Sequence, residues 1–324
     1  MKLNDITRYI QDNNSFILTT HESPDGDGLG AEYALCETLI EMGKEVEILN
    51  SDPLGPRYEF LNKGNLIQHI TSETVYPDNL SERTLFILDT DITNTGTRTA
   101  CLLEKCSKVL VIDHHTPEKN RPMEGWLNPQ ASSTCEMIFQ IIQKLGRQIS
   151  RNSAVALYTG IVYDTGSFIY PKTTARTFRI AEDLVNRGAV PNEIFTELYQ
   201  KRSIGSLMLQ SLVSSTLLLL MDNRCAVQVM PRETLIASRA EYDESQEIVN
   251  IPLQCGTVDV SVFFKEELNG TRHCSMRSKK LVDCAAIAHK FGGGGHKTAA
   301  GFRFRNSFPD IQEKVLEEVA RYLT

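Results

Sequence analysis

Short apolar runs alternate with amphipathic stretches through the first half of the chain. Residues 16–20, 46–50, 84–89 and 109–113 are rich in aliphatic or β-branched side chains, which predicts four strands. The helices predicted by apolar residues at helical spacing span 3–12, 29–42, 133–145, 153–163, 174–185 and 192–200. Strands that alternate with helices are typical of a doubly wound, mainly parallel sheet, so we expect an α/β fold here.

The pattern changes towards the C-terminus. The predicted strands span 226–230, 258–264, 273–276 and 301–304, and the predicted helices span 285–290 and 311–323. This mixture indicates a smaller α+β domain. We therefore expect one domain over residues 1–190, a helical linker over 191–210 and a second domain over 211–324.

Composition bounds the class of protein. The chain has 324 residues, of which 41% are hydrophobic and 23% charged, as in a water-soluble globular protein. The N-terminus has no apolar segment typical of a signal peptide, and the longest nearly apolar run, 212–221, is half the ~20 residues of a membrane span. We expect a cytoplasmic protein without membrane association. The eight cysteines include no Cys-x-x-Cys pair, which predicts reduced thiols and argues against a structural zinc cluster.

Charge is distributed unevenly. Residues 1–190 hold 25 of the 41 acidic residues and 18 of the 34 basic ones, whereas residues 270–305 have an excess of Lys and Arg with Asp283 as their one acid. The acidic part favours cations and the basic segment favours anions. With a net charge of −7, long-range attraction to a nucleic-acid polymer is weak, so a short or small phosphorylated substrate is the better expectation.

Ionisable residues follow three of the predicted strands. His21, Asp25 and Asp27 come after the first, Asp89 ends the third, and residues 113–115, Asp-His-His, end the fourth. Ligands of such sheets bind beyond the carboxyl ends of the strands, so these side chains should meet at one edge. Two carboxylates beside an imidazole suit Mn, Fe, Co or Zn. For residues 20–28 taken alone, an acidic turn is an equal alternative.

Two further sites are weak indications of function when each is taken alone. Asp164 ends a predicted helix before Thr165 and Gly166, and by itself it is typical of a turn. In the second domain, four glycines, 292–295, precede His296 and leave backbone N–H groups that can point at an anion. A flexible surface turn is the alternative, although His296 and Lys297 favour a phosphate cradle.

Together these residues form one candidate constellation. It contains two imidazoles and four carboxylates, enough for two divalent cations that share a bridging carboxylate. The members are His21, Asp25, Asp27, Asp89, His114 and Asp164.

These motifs resemble those of the DHH phosphoesterase family. His21-x-x-Pro24-Asp25-Gly26-Asp27, Asp89, Asp113-His114-His115 and Asp164-Thr165-Gly166 are similar to its four motifs in order. Residues 257–305, with Met276-Arg277-Ser278 and the glycine run, resemble the DHH-associated C-terminal domain. Within the family, the similarity is greatest to the short-oligoribonuclease (nanoRNase) and pAp-phosphatase branch, often described as exopolyphosphatase-related.

The resemblance implies a role for each residue. His21 and Asp25 would hold one metal ion, Asp27, His114 and Asp164 the other, and Asp89 would bridge them. The cofactor implied is a pair of divalent cations, Mn²⁺ above all. His115 would face the substrate phosphate and Asp113 would orient an imidazole. The substrate-binding residues implied in the second domain are Arg277, Ser278, Gly293, Gly294, Gly295 and His296.

Two features depart from the family pattern near the phosphate. The first motif continues to Ala31 where the family usually has Ser, and no Arg follows Asp89 before Arg98. Neither departure removes an implied metal ligand.

The function implied is Mn²⁺-dependent hydrolysis of short oligoribonucleotides to mononucleotides, together with removal of the 3′-phosphate of pAp. Short RNA and nucleotides would be its partners, and a homodimer is compatible with the sequence. Three alternatives remain open: a cyclic or linear dinucleotide phosphodiesterase, a pyrophosphatase or exopolyphosphatase, and a nucleotide-binding protein without activity. The last would be expected to lack a metal ligand, and all six are present.

Overall fold

The structure of the chain, a computed structural model, describes residues 1–116 and 123–323. Two compact units are present, Met1–Lys201 and Arg202–Thr324. The α-helices, α1 to α11 in chain order, are Leu3–Asp12, Gly26–Glu41, Ala100–Lys105, Thr134–Lys144, Arg151–Asp164, Ala175–Asn186, Pro191–Tyr199, Ile204–Ser214, Arg232–Ser238, Cys284–Lys290 and Phe308–Leu323. The strands, β1 to β12, are Ser15–Thr19, Glu45–Asn50, Ile67–His69, Thr84–Leu88, Lys108–Asp113, Gly125–Leu127, Leu218–Leu220, Cys225–Met230, Val260–Glu266, Arg272–Ser278, Gly294–His296 and Ala299–Phe304.

The first unit is built on a six-stranded parallel sheet. Its strands lie in the order β3-β2-β1-β4-β5-β6. Successive strands extend to one side from β1 and to the other side from β4, so the chain reverses its direction of winding between these two strands. Such a reversal opens a crevice beyond the carboxyl ends of the strands, where ligands of doubly wound sheets bind.

Both faces of this sheet are covered. Phe16, Leu18 and Phe86 face a large apolar cluster with residues of α1, α2, α4 and α5, whereas Ile17 and Ile87 face a smaller cluster with α3 on the opposite side. All five side chains are fully buried. Burial on both faces explains why the central strands are continuous apolar runs instead of alternating ones.

The second unit contains a mixed sheet in the order β11-β12-β10-β9-β8-β7. Only β8 and β9 pair in parallel, and the other neighbours are antiparallel. One face packs against α10 and α11, and part of the other packs against α8, α9 and the 3₁₀ segment Tyr242–Gln254. The predicted class, a parallel α/β domain followed by a smaller α+β domain, is confirmed.

Several predicted boundaries were wrong. Helix α2 begins at Gly26, three residues before the predicted start, because Asp25 caps it and the glycines pack closely. The domain boundaries stay a prediction, and helix α8 spans the predicted end of the linker at residue 210. Strands β3, β6, β7 and β11 were not predicted, since three residues are too few to show alternation. Among the described residues, no helix is both long and apolar enough to span a bilayer.

Candidate metal centre

The first acidic loop is fixed by the start of α2. The side chain of Asp25 accepts hydrogen bonds from the N–H groups of Asp27 and Gly28, at 2.9 and 3.3 Å, and so caps the helix. A Cβ atom on Gly28 would lie 2.3 Å from Oγ1 of Thr20, so glycine allows the helix to begin directly beside β1. Asp25 and Asp27 therefore lie at a helix N-terminus, which favours negative charge.

Asp27 is fully buried and held by another helix. Its two carboxylate oxygens accept hydrogen bonds from the backbone N–H groups of Thr134 and Cys135, at 2.6 and 2.9 Å, in the first turn of α4. These two contacts could not be predicted from the sequence, where only the start of α4 is marked by Ser133, which accepts a hydrogen bond from the N–H of Glu136. They orient a carboxylate that would otherwise be an isolated buried charge.

Asp89 lies between two imidazoles at the end of β4. Its Oδ2 is 3.8 Å from Nε2 of His21, and its Oδ1 is 3.5 Å from Nε2 of His114. The hydroxyl of Thr134 donates to Oδ1 at 2.8 Å. The backbone of Asp89 has a φ of +63°, in the left-handed region that Asp and Asn tolerate better than other side chains. This conformation directs the carboxylate towards both imidazoles.

All six predicted metal ligands come together at this edge of the sheet. Candidate ligand atoms within 4.8 Å of one another form three groups, one of which joins Asp89 and His114 to Asp113 and His115, and two of which consist of predicted ligands alone. Of these two, one group contains His21, Asp25 and Asp89, and the other contains Asp27, His114 and Asp164. Asp89 contacts both groups, since its second oxygen approaches His114.

The electrostatics of the site fit bound cations. Burial and the charges of Asp27 and Asp25 raise the pKa of Asp164 to about 8, and the same causes raise that of Asp89 well above its ordinary value. Nε2 of His114 is buried and has no hydrogen-bond partner among the described residues, although Oδ2 of Asp164 lies 3.2 Å away. Crowded carboxylates and a bare imidazole nitrogen are a donor set for divalent metal ions.

The tautomer of His21 is compatible with metal binding. Its Nδ1 lies 2.8 Å from the backbone carbonyl of Glu22, which can accept a hydrogen bond from a protonated Nδ1 and leave Nε2 as the ligand atom. Burial lowers the pKa of His21, but the hydrogen bond to Asp25 and its charge outweigh this effect and raise the pKa to about 9. A metal ion at Nε2 would take the place of that proton.

His115 differs from its neighbour in exposure. Its side chain is 44% exposed, whereas that of His114 is 2% exposed. Nδ1 of His115 lies 2.7 Å from Oδ1 of Asp113, which also accepts the backbone N–H of His115 at 3.1 Å. Burial lowers the pKa of His115, but the hydrogen bond and charge of Asp113 raise it overall. This imidazole is therefore held in place and accessible at the edge of the cluster, as a general acid has to be.

Lys172 is a site residue that sequence reasoning missed. Its Nζ lies 3.3 Å from Nδ1 of His114 and 3.2 Å from the backbone carbonyl of that residue. Lys172 lies in the turn after α5, eight residues beyond Asp164. Its charge helps to lower the pKa of His114, after the larger effect of burial. No motif marks this lysine, because its role depends on where the turn returns to the sheet.

The predicted substrate-binding residues lie in the second unit. Arg277 and Ser278 end β10. The hydroxyl of Ser278 is buried and donates to the carbonyl of Val282 at 2.6 Å, so this side chain closes a turn. The side chain of His296 lies outside what the structure describes. By backbone register, however, Arg277 and His296 are both paired with Ala299, which stands between them on β12.

The expectation that the glycines carry consecutive free N–H groups was wrong. The N–H groups of Gly292 and Gly293 donate to the carbonyls of His289 and Ala288, at 3.2 and 3.0 Å, and so end α10. Gly294 and Gly295 enter β11 and pair with β12. Glycine is needed for close packing, since a Cβ on Gly293 would lie 2.2 Å from the carbonyl oxygen of Gly301.

Each of the two units matches a known domain family. The model of the DHH family N-terminal domain matches residues 15–161, and that of the DHHA1 domain matches residues 222–324. The chain therefore combines a DHH family N-terminal domain with a DHHA1 domain. The two matches lie in different units, so the metal cluster falls within or beside the first and Arg277 within the second.

Individual proteins are similar over nearly the whole chain. "Bifunctional oligoribonuclease and PAP phosphatase NrnA" of Bacillus subtilis is 27% identical over 92% of this chain and 91% of its own length. The protein of the same name from Thermus thermophilus is 29% identical over 95% and 90%. The crystal structure of an exopolyphosphatase-related protein from Bacteroides fragilis has the same fold, with a TM-score of 0.92, 23% identity, and coverage of 99% and 96%.

Proposed function

We propose that this protein is a phosphoester hydrolase that degrades short oligoribonucleotides to mononucleotides and removes the 3′-phosphate of pAp. The observation that carries the proposal is the pair of ligand groups on either side of Asp89, at the carboxyl edge of the parallel sheet. Similarity over nearly the full length of two oligoribonuclease and PAP phosphatases supports the choice of substrate.

The metal assignment follows the two groups. His21 and Asp25 would hold one ion, Asp27, His114 and Asp164 would hold the other, and Asp89, which approaches both groups, would be shared. Manganese is the ion that we propose among the divalent metals that mixed imidazole and carboxylate sites suit. A pair of such ions supplies positive charge for the phosphoryl oxygens and lowers the pKa of water towards neutrality.

The remaining chemistry belongs to residues of the chain. His115, held by Asp113, donates its proton to the phosphoryl group or to the departing 3′-oxygen. His21 is kept in one tautomer by the carbonyl of Glu22. Thr134 fixes Asp89, and the first turn of α4 fixes Asp27, so the acidic side chains are oriented before substrate binds.

We propose that the second unit binds the distal nucleotide. Arg277 and the backbone position of His296 lie in one row across β10, β12 and β11, with a small residue, Ala299, between them. This backbone register supports an anion-binding role for the row. Replacement of Arg277 by Ala should lower hydrolysis of pApA more than that of bis-p-nitrophenyl phosphate, because only the former has a second nucleotide.

A turnover panel tests the function. Protein supplied with Mn²⁺ would be incubated with pAp, 5′-pApA, a 24-mer RNA, cyclic di-AMP, pyrophosphate and polyphosphate, with an Asp89→Asn preparation as the control for contaminating nucleases. We expect the highest kcat/KM for pAp and pApA. Faster turnover of pyrophosphate or polyphosphate would overturn the proposal, and faster turnover of cyclic di-AMP would make the protein a cyclic-dinucleotide phosphodiesterase.

A further inference from the structure

Arg57 occupies an unusual environment for a guanidinium. It lies in the 3₁₀ segment Pro56–Leu61 of the first unit, with its Cζ 5.7, 5.6 and 5.3 Å from the ring centres of Tyr58, Tyr163 and Tyr199. Its Nε is buried and has no hydrogen-bond partner among the described residues. Three aromatic faces hold the planar cation in place, and its Nε remains without a hydrogen-bond acceptor.

Several arginines of the chain are paired with acids, and others, such as Arg98 and Arg277, donate to backbone carbonyl oxygens. Arg83, whose side chain is 2% exposed, forms ion pairs with Glu45 and Glu47. Arg176 and Arg187 likewise contact Glu136 and Asp183. Within residues 1–116 and 123–323, Arg57 forms no such ion pair. A partly buried cation without an acid is costly unless a ligand compensates for it.

The tyrosines under Arg57 border the metal centre. A Cβ atom on Gly26 would lie 3.2 Å from Cβ of Tyr163 and 3.4 Å from Cε1 of Tyr58. Gly26 stands between Asp25 and Asp27, and Tyr163 directly precedes Asp164. The guanidinium is thus one aromatic ring away from the acidic loop, and all the residues concerned belong to the first unit.

We infer that Arg57, pinned by Tyr58, Tyr163 and Tyr199, is an anion-binding subsite beside the metal centre that takes a phosphate of the substrate other than the one that reacts. Aromatic rings that stack on the faces of a guanidinium leave the N–H groups at its edge free to donate. The forked arrangement of these N–H groups matches the oxygens of a phosphate. The rings of Tyr58 and Tyr163 separate it from the ligand groups, so it contacts a neighbouring phosphate. This inference rests on the proposed function, because that function supplies substrates with two phosphates.

The chemistry of pAp provides a direct test. Its 3′-phosphate is removed and its 5′-phosphate is the one that does not react, whereas 3′-AMP carries only the reacting group. Wild-type protein should prefer pAp to 3′-AMP. Arg57→Gln should reduce this preference roughly ten- to 150-fold, the range for loss of a charge-assisted hydrogen bond, chiefly by raising KM for pAp. Arg57→Lys should retain part of the preference, because it keeps the charge but not the fork.

The controls separate binding from folding. Arg179→Gln removes one exposed positive charge from α6 and should leave the preference unchanged. Tyr199→Leu keeps the guanidinium but removes one supporting ring, and should lower the preference by less than Arg57→Gln. If Arg57→Gln lowers hydrolysis of pAp and 3′-AMP in equal proportion, or leaves their ratio unchanged, Arg57 only supports the fold and the inference is overturned.

A binding measurement makes the outcome independent of activity. Calorimetric titration of the Mn²⁺-loaded protein with 5′-AMP and with adenosine isolates the contribution of the 5′-phosphate. Wild type should bind 5′-AMP more tightly, and Arg57→Gln should lose most of that difference. Failure of wild type to hydrolyse pAp while this difference persists would reject the proposed function alone. Equal binding of 5′-AMP and adenosine by wild type would reject the subsite.

Discussion

The Nδ1 atom of His115 lies 2.7 Å from Oδ1 of Asp113. This contact distinguishes His115, the second histidine of the motif, from His114, which lies among the candidate metal ligands. We expect His115→Ala to retain normal metal content while kcat falls by a factor of ~10²–10⁴, the range for loss of a general acid. Metal analysis and steady-state kinetics on pAp would check this. If the variant loses metal, His115 is a ligand and the two histidines have exchanged roles.

Asp89 should be indispensable to both ligand groups. Asp89→Asn preserves the shape of the side chain but removes its charge, and we expect it to abolish turnover and to reduce the metal content measured by mass spectrometry. Asp91 is the matched control, since its carboxylate accepts the N–H of Thr93 at 2.8 Å in a local turn. Asp91→Asn should retain metal and activity, and equal, mild effects of the two substitutions would reject the bridging role.

The stability of the metal-free protein should fall as the pH rises from 6 to 9. Burial and the charges of Asp27 and Asp25 raise the pKa of Asp164 from 3.8 to about 8, so its contribution is complete below pH 3.8 and is lost by about pH 8. The pKa of His21, raised from 6.5 to about 9, acts in the same direction.

Thermal unfolding of chelator-treated protein would measure this dependence. Asp164→Asn should weaken it, because the substituted side chain does not titrate. Added Mn²⁺ should raise Tm more at pH 8 than at pH 6, since metal ions compete with protons for the same atoms. A Tm that is constant or rises between pH 6 and pH 9 without metal would contradict the prediction.

Lys172 should affect metal binding and turnover in opposite directions. Its Nζ lies 3.3 Å from the ring of His114, so Lys172→Met removes a like charge from the cation site and should tighten Mn²⁺ binding. The same change removes a positive charge available to the substrate phosphate, so kcat/KM should fall about tenfold. Lys105→Met is the control. A parallel loss of metal and activity would instead indicate that Lys172 supports the fold.

The sequence was sufficient to locate the site because each of β1, β4 and β5 is an apolar run that ends in ionisable residues. The carboxyl ends of neighbouring parallel strands must meet, so His21, Asp89 and His114 were predicted to be close before any distance was known. The start of α2 was mispredicted, since Gly26 and Gly28 are poor helix formers. Close packing requires Gly28, because a Cβ on this residue would lie 2.3 Å from Oγ1 of Thr20.

Contacts between distant segments were not accessible from the sequence. Thr134 reaches Asp89, and Arg57 meets Tyr163 and Tyr199, only because of how the helices pack against the sheet. The glycine run illustrates the reverse case. Its composition suggested free N–H groups, but the end of α10 and the pairing with β12 use the backbone differently.

The left-handed backbone of Asp89 restricts which amino acids can stand there, apart from any requirement of the metal ions. Glutamate carries the same charge, but it lacks the tolerance of aspartate and asparagine for positive φ, and its longer side chain would overshoot both imidazoles. The required negative charge and the positive φ thus restrict the amino acid at position 89 independently of each other. Related proteins that have lost catalytic activity should therefore have Asn or Gly at this position more often than Glu.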